Sequence, residues 1–206
     1  MPTRRRYLVA AGSAAIAGCG FTIEEQTVTG DSGGTPTAGD SGTGSTRAGS
    51  PTTPLTISTS AFEDGETIPA EYTGAGADRS PPLTVESVPE DAETLALVVD
   101  DPDANGFVHW LLWNVPATVD EIPADLPQEE TVPVLDSARQ GTNDFGELGY
   151  RGPLPPEGDG PHTYRFTMSA VSTTLDLAAG AERGALESAL AGSVLDTRRI
   201  TGEFER

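Results

Sequence analysis

From residue 55 onward the chain reads as a series of strand-length segments. Leu55-Thr56-Ile57-Ser58-Thr59 alternates apolar and polar positions. Leu83-Thr84-Val85-Glu86-Ser87-Val88 alternates for four residues and ends before Pro89. Thr94 to Val99 (TLALVV) and Phe107 to Val115 (FVHWLLWNV) are longer apolar runs, and Tyr164 to Val171 (YRFTMSAV) alternates again. Pro, Gly or Asp clusters bound each segment, which is how strands are delimited in a sequence. One helix is expected over Glu182 to Ala191, where Leu186 and Leu190 lie four apart and Gly192 supplies a stop. Many short strands and little helix predict a mainly β fold: an antiparallel β-sandwich or barrel with one or two small helices.

Residues before 55 carry no such pattern. Arg4-Arg5-Arg6 precedes a short apolar stretch, Leu8 to Gly18 (LVAAGSAAIAG). That stretch is too short for a bilayer core of about 30 Å, which takes roughly 20 residues, so residues 1–18 read as an export signal. The arginine pair resembles a twin-arginine signal, the kind that exports folded cargo. Ile16-Ala17-Gly18-Cys19 resembles a lipobox, with the only Cys of the chain at the lipidation position. Two lipid chains on Cys19 would anchor the protein durably on the outer face of the cytoplasmic membrane. Residues 19–54 are rich in Thr, Gly, Ser, Asp and Pro, and cannot bury enough apolar surface to offset their ordering entropy. They are expected to form a disordered tether with a reach of roughly 30–35 Å. Gly30-Asp31-Ser32-Gly33-Gly34 spells a serine-protease nucleophile loop, but it precedes the domain that would have to supply its His and Asp. The folded domain is therefore expected to span residues 55–206.

Charge narrows the functions open to that domain. The chain has 32 carboxylates, 12 arginines and no Lys, for a net charge of −20. The domain's eight arginines against 28 carboxylates account for all of it. Nucleic-acid binding and docking on anionic headgroups through a basic patch are excluded, since both need a positive face. A lone Cys excludes an intramolecular disulfide framework and any Cys-based zinc site. A Lys-free acidic surface fits a halophilic setting, where a Debye length near 3 Å at 1 M salt quenches self-repulsion.

The chain has two His residues, and each follows a turn-rich loop at a strand entrance, where sites are built. His109 lies in Asp100-Asp101-Pro102-Asp103-Ala104-Asn105-Gly106-Phe107-Val108-His109, and His162 follows Arg151-Gly152-Pro153-Leu154-Pro155-Pro156. Taken singly, each motif also has a structural reading, as a satisfied strand-end His or a rigid turn. The nucleophile-elbow, zincin, P-loop and dinucleotide motifs are missing from the domain. Two His and two Asp leave a metal-dependent hydrolase as the alternative function, although Asp101-x-Asp103-x5-His109 is not a familiar ligand spacing.

Together the motifs say more. DPDAN with HWLLWNVPA, followed by YRGPLPPEGDGPHTYRF, resembles the two signature regions of the phosphatidylethanolamine-binding protein (PEBP) family, in its prokaryotic, Raf-kinase-inhibitor-like YbhB/YbcL branch. Phe62, Gly65, Ile68-Pro69, Tyr72-Thr73-Gly74, Ser80-Pro81-Pro82-Leu83 and the closing Gly202-Glu203-Phe204 extend the likeness across residues 55–206. The resemblance implies a β-sandwich with a small anion pocket lined by Asp101, Asp103, His109, Gly152, Pro153, Pro155, His162 and Tyr164. It also implies no enzymatic activity, no cofactor, and a phosphate, phospholipid headgroup or carboxylate as ligand. A protease- or kinase-inhibitor-like role would give an exported domain an extracellular protein partner. Three positions depart from the family pattern: Asn105 stands where Pro is usual, Thr163 where Arg is usual, and Val85 where Trp is usual. Imidazole N–H, a Tyr hydroxyl and backbone N–H groups can all meet an oxyanion. His109, beside Asp101 and Asp103, is the expected carrier of positive charge.

Overall fold

Two antiparallel sheets account for the strand-length segments. The computed structural model describes residues 53–136 and 138–206, so the arginine-led signal, Cys19, the protease-like pentapeptide and most of the tether lie outside the described residues. A small sheet runs in the order β1 (Thr56–Ser58), β2 (Leu83–Ser87), β5 (Glu121–Ile122). The large sheet comprises β3 (Thr94–Asp101), β4 (Phe107–Pro116), β6 (Thr131–Val132), β7 (Ala138–Gln140), β8 (His162–Val171) and β9 (Val194–Phe204). Its spatial order is β6-β7-β4-β3-β8-β9. The single α-helix among the described residues, α1, is Arg183–Leu190, within the expected bounds.

The patterning explains the layering. One apolar cluster joins Ile57, Val85 and Ile122 of the small sheet to Leu97, Val99, Trp110, Leu112, Phe166 and Met168 of the large one. This is the filling of a sandwich. A second cluster lies on the other face of the large sheet, where Ala96, Val108, Leu111 and Trp113 meet Leu175 and Leu186 of α1. Strands β3 and β4 are thus covered on both sides, which is why their sequences are apolar runs rather than alternations. Strand β8 is one neighbour further out, and alternates buried with half-buried residues. Each large side chain buried here contributes about 1.5–3 kcal/mol. Helix α1 has no side-chain cap at its N-terminus. It is held instead by the fully buried Leu186 and by Arg183, which reaches Asp100 on β3.

Strand β9 is longer than the sequence pattern discloses. It pairs with β8 from His162↔Phe204 to Val171↔Val194, yet its first half is exposed and lacks an apolar alternation. The two-residue strands β5 and β6 and the three-residue β7 carry no periodicity of their own.

Candidate functional site

The site forms where β3 ends and β4 and β8 begin, at one end of the large sheet. Asp100 and Asp101 close β3 and point to opposite faces. Asp100, buried on the α1 side, receives Arg165 Nε at 2.9 Å, Arg165 Nη2 at 2.6 Å and Arg183 Nη1 at 2.9 Å. Burial pushes the Asp100 pKa up, but the two arginines overcome it and hold the carboxyl below its ordinary value. Asp101 organises the β3–β4 turn. Its Oδ1 accepts the backbone N–H of Asp103 (2.9 Å) and Ala104 (3.1 Å), while its carbonyl accepts Gly106 N–H (2.8 Å). Asn105 and Gly106 then turn through the left-handed region, with φ of 59° and 76°. A proline, fixed near −65°, cannot take that backbone, so Asn105 belongs to a turn of different shape.

A register shift aims His109. Val99 pairs with Trp110, but Asp100 pairs with Val108, leaving His109 as the extra residue of a β-bulge. Trp110 belongs to the core between the sheets, and the bulge brings His109 to the same side, its ring 5.1 Å from that of Tyr164. His109 Nδ1 lies 2.7 Å from the Arg151 carbonyl. A carbonyl only accepts, so Nδ1 carries the proton and Nε2 of the neutral ring is an acceptor. Nε2 has no hydrogen-bond partner among the described residues. Burial lowers the His109 pKa, against the opposing pull of the Arg151 carbonyl and Asp101. The charged His109 expected from sequence is corrected on that ground: desolvation outweighs the nearby carboxylates.

The other imidazole faces carboxylates on both nitrogens, the arrangement that favours its protonated form. His162 Nδ1 donates to Asp101 Oδ2 at 2.7 Å, and Nε2 faces Asp159 Oδ2 at 3.3 Å. The Asp101 hydrogen bond raises the His162 pKa, burial opposes it, and Asp159 adds to the rise. Two residues along β8, Tyr164 is 1% exposed and its hydroxyl is buried without a hydrogen bond. Burial, reinforced by Asp101, raises the phenol's pKa, so it stays protonated as a donor.

These groups line a cavity of about 160 Å³ together with Phe107, Phe145, Leu154, Pro155 and Pro156. Asp101, His109, Pro155, His162 and Tyr164 therefore meet, as the sequence reading requires. Three other predicted residues support the pocket without lining it. Asp103 is exposed and accepts the Thr163 backbone N–H at 2.8 Å, tying the β3–β4 turn to β8. Gly152 donates its N–H to Asp78 Oδ1 at 2.7 Å and packs against backbone; a Cβ there would lie 2.6 Å from the Tyr72 carbonyl oxygen. Pro153 accepts Gly74 N–H through its carbonyl.

The aromatic wall was missed from sequence. Phe145 stacks edge-on against Phe107 (4.8 Å between centroids) and His109 (5.4 Å), with the Arg151 guanidinium over it at 5.6 Å. The loop that presents Phe145 is fixed by buried Asn143, whose Oδ1 accepts the N–H of Phe145 and Glu147 and whose Nδ2 donates to Gly149. Asn and Gly at 143–149 mark a turn in sequence, but nothing in the pattern places it beside His109. Among the described residues, no three His, Cys, Asp or Glu side chains come together as metal ligands, so the cluster the hydrolase alternative needs is not assembled.

Comparison with known proteins places this architecture. Residues 58–205 match the sequence profile of a family described as phosphatidylethanolamine-binding protein. A UPF0098 protein of Pyrococcus abyssi is 44% identical over 149 residues, covering 71% of this chain and 83% of that one. A Mycobacterium tuberculosis protein named as a candidate lipoprotein, LppC, is 39% identical over 156 residues, covering 74% and 73%. The crystal structure of Escherichia coli YbcL, described as a member of the mammalian PEBP family, superposes with a TM-score of 0.68 at 31% identity, covering 74% of this chain and 98% of that one. With the sandwich, the paired His motifs and the family profile spanning the same residues, this chain belongs to the phosphatidylethanolamine-binding protein family, in its YbcL-like branch.

Proposed function

We propose that the domain is a binding module, not an enzyme, that holds one small oxyacid group in the pocket: a phosphate, a phospholipid headgroup or a carboxylate. One observation carries the reading. Beside the Asp101–His162 pair, two polar atoms that face the cavity, Tyr164 Oη and His109 Nε2, have no partner among the described residues. A buried hydroxyl left unpaired costs about 1–3 kcal/mol, so a bound oxygen that accepts from it is the economical explanation. Because neutral His109 Nε2 accepts, an oxyanion there must bring or take up a proton. Binding is therefore proton-linked and weakens as pH rises. Calorimetry with phosphate or acetate in molar salt tests this: affinity is expected to fall between about pH 5 and pH 9, the range bracketing an ordinary His pKa near 6.5. Equal affinity at both ends would overturn it.

The domain works, on this reading, outside the cytoplasm, carried by residues 19–54 from a lipid anchor on Cys19. The LppC relative and the lipobox-like Ile16-Ala17-Gly18-Cys19 support this. No helix among the described residues is long and apolar enough to cross a membrane. Mass spectrometry of membrane-extracted protein is expected to find acyl or alkyl mass on an N-terminal Cys19; an unmodified Cys19 would remove the anchor.

A further inference from the structure

Beside the pocket stands a charge the binding reading does not use. Asp159 lies on the Pro156–Pro161 loop, with its side chain 61% exposed and its Oδ2 at 3.3 Å from His162 Nε2. It stands between Gly158 and Gly160, both in the left-handed region at φ 78° and 89°. The loop is pinned by Asp159 N–H to the Pro156 carbonyl and by Gly158 N–H to the Arg206 carbonyl. Asp101 already takes the other nitrogen of the same ring at 2.7 Å. The cationic imidazole of the site thus has both N–H groups facing carboxylates.

Among the described residues, no arginine pairs with Asp159. Arg165 and Arg183 are committed to Asp100 on the opposite face. Arg151 lies over the Phe145 ring and pairs with Asp78 and Glu147. Arg206 reaches the rim, where its Nε donates to the Pro155 carbonyl. With His109 neutral and the Arg206 guanidinium held on a backbone carbonyl, Asp159 is the charge that stands against Nε2 of the pocket-lining His162 ring.

We infer that Asp159 is a specificity-determining residue: it occupies the His162 face an oxyanion would take, so the pocket selects an oxyacid of at most one negative charge with an apolar group, and rejects a phosphate dianion. This deepens the binding reading and rests on it. The walls agree. Phe107, Phe145 and Leu154 offer apolar surface, and a cavity near 160 Å³ has the size of one that holds benzene, about 150 Å³. A short-chain carboxylic acid fills that space, placing its oxygens on Tyr164 Oη and His109 Nε2 and its chain on the phenyl rings. Phosphate has no atom for those rings and, as a dianion, carries a second charge that the neighbouring Asp159 carboxylate disfavours at short range.

The test titrates the full chain with butyrate and with inorganic phosphate, in molar salt near pH 8, where ordinary His is neutral and phosphate is mostly dianionic. It uses wild type, Asp159→Asn and Tyr164→Phe. Wild type is expected to prefer butyrate. Asp159→Asn, an isosteric change at an exposed side chain, is expected to tighten phosphate about tenfold and butyrate no more than two- to threefold, because one full charge is removed. Tyr164→Phe should weaken both probes. NMR of the two His rings supplies a readout without ligand: the His162 pKa should fall in Asp159→Asn. Unchanged phosphate affinity, or an unchanged His162 titration, overturns the inference while a Tyr164→Phe loss leaves the binding reading standing. If neither probe binds any of the three proteins at pH 8 or on repeating the titration near pH 5, both fall together.

Discussion

Tyr164→Phe separates stability from function in one substitution. The ring is 1% exposed and packs edge-on against His109 within the main core, so Phe keeps every apolar contact. What the variant removes is a hydroxyl that makes no hydrogen bond to the described residues. An unpaired buried hydroxyl costs about 1–3 kcal/mol, so its removal should leave stability unchanged or raise it by about 1 kcal/mol. A buried Tyr whose hydroxyl is satisfied behaves in the opposite way and loses about 1 kcal/mol. For the ligand the sign reverses. A hydrogen bond to a charged oxygen contributes about 1.5–3 kcal/mol, so affinity for phosphate or a carboxylate should fall roughly 10- to 150-fold. Urea denaturation with an unchanged m-value gives the first number, and calorimetry near pH 5 gives the second. A variant less stable than wild type by about 1 kcal/mol or more, with ligand affinity intact, would refute the reasoning: the phenol would then be a structural group already paired in the free domain.

Other perturbations test the scaffold and the charges. Asp101→Asn should lower the His162 pKa toward or below the ordinary 6.5, read by NMR, because the hydrogen bond from the ring to the carboxylate is the main cause of its rise. In wild type the two imidazoles have opposite linkage. His162, raised on folding, stabilises below about pH 6.5, and that contribution is lost as pH climbs through its folded value; His109, lowered on folding, contributes above about pH 6.5 and is lost as pH falls through its folded value. Gly152→Ala should cost about 1–3 kcal/mol in denaturation, since its Cβ would meet the Tyr72 carbonyl oxygen at 2.6 Å and Thr73 Cα at 2.7 Å. Leu97→Ala, at a fully buried site between the sheets, should cost about 2–5 kcal/mol in the same assay. The melting temperature should rise steeply with added salt, because a net charge of −20 on the domain repels itself until it is screened.

The layers of this fold are legible because burial imprints the sequence directly. Strands covered on two faces, β3 and β4, appear as apolar runs, and β8, covered on one, appears as an alternation. Strand β9 escapes the same reading because Val194, Leu195, Arg198 and Arg199 face solvent at the sheet edge, where nothing selects apolar residues. The site is legible only as two loops. That His109 and His162 line one cavity follows from β3 running between β4 and β8, a neighbour relation that residue spacing along the chain does not contain. The bulge that turns His109 inward is invisible in FVHWLLWNV, since it exists only as a mismatch against β3. The charge of His109 fails for a related reason. Proximity to Asp101 and Asp103 in sequence predicts protonation, but Asp103 turns outward to the Thr163 backbone and the ring is desolvated, so the cation forms on His162 instead.

The adjacent carboxylates at the end of β3 show how stability and binding are kept apart in so acidic a domain. A strand sends consecutive side chains to opposite faces, so Asp100 and Asp101 cannot share partners. Asp100 gathers two of the domain's eight arginines and fastens β3, β8 and α1 together on the face away from the pocket. That removes cations from the region where an anion would otherwise be drawn by charge alone. Asp101 commits its oxygens to the turn and to His162, so on the proposed reading recognition falls to short-range contacts: a phenol, a neutral imidazole nitrogen and two phenyl rings. Contacts of that kind keep their strength when the Debye length shrinks to about 3 Å, whereas attraction between distant charges does not. A pocket recruited by arginines would lose ligand as salt rises; one built on Tyr164, His109, Phe107 and Phe145 should hold it.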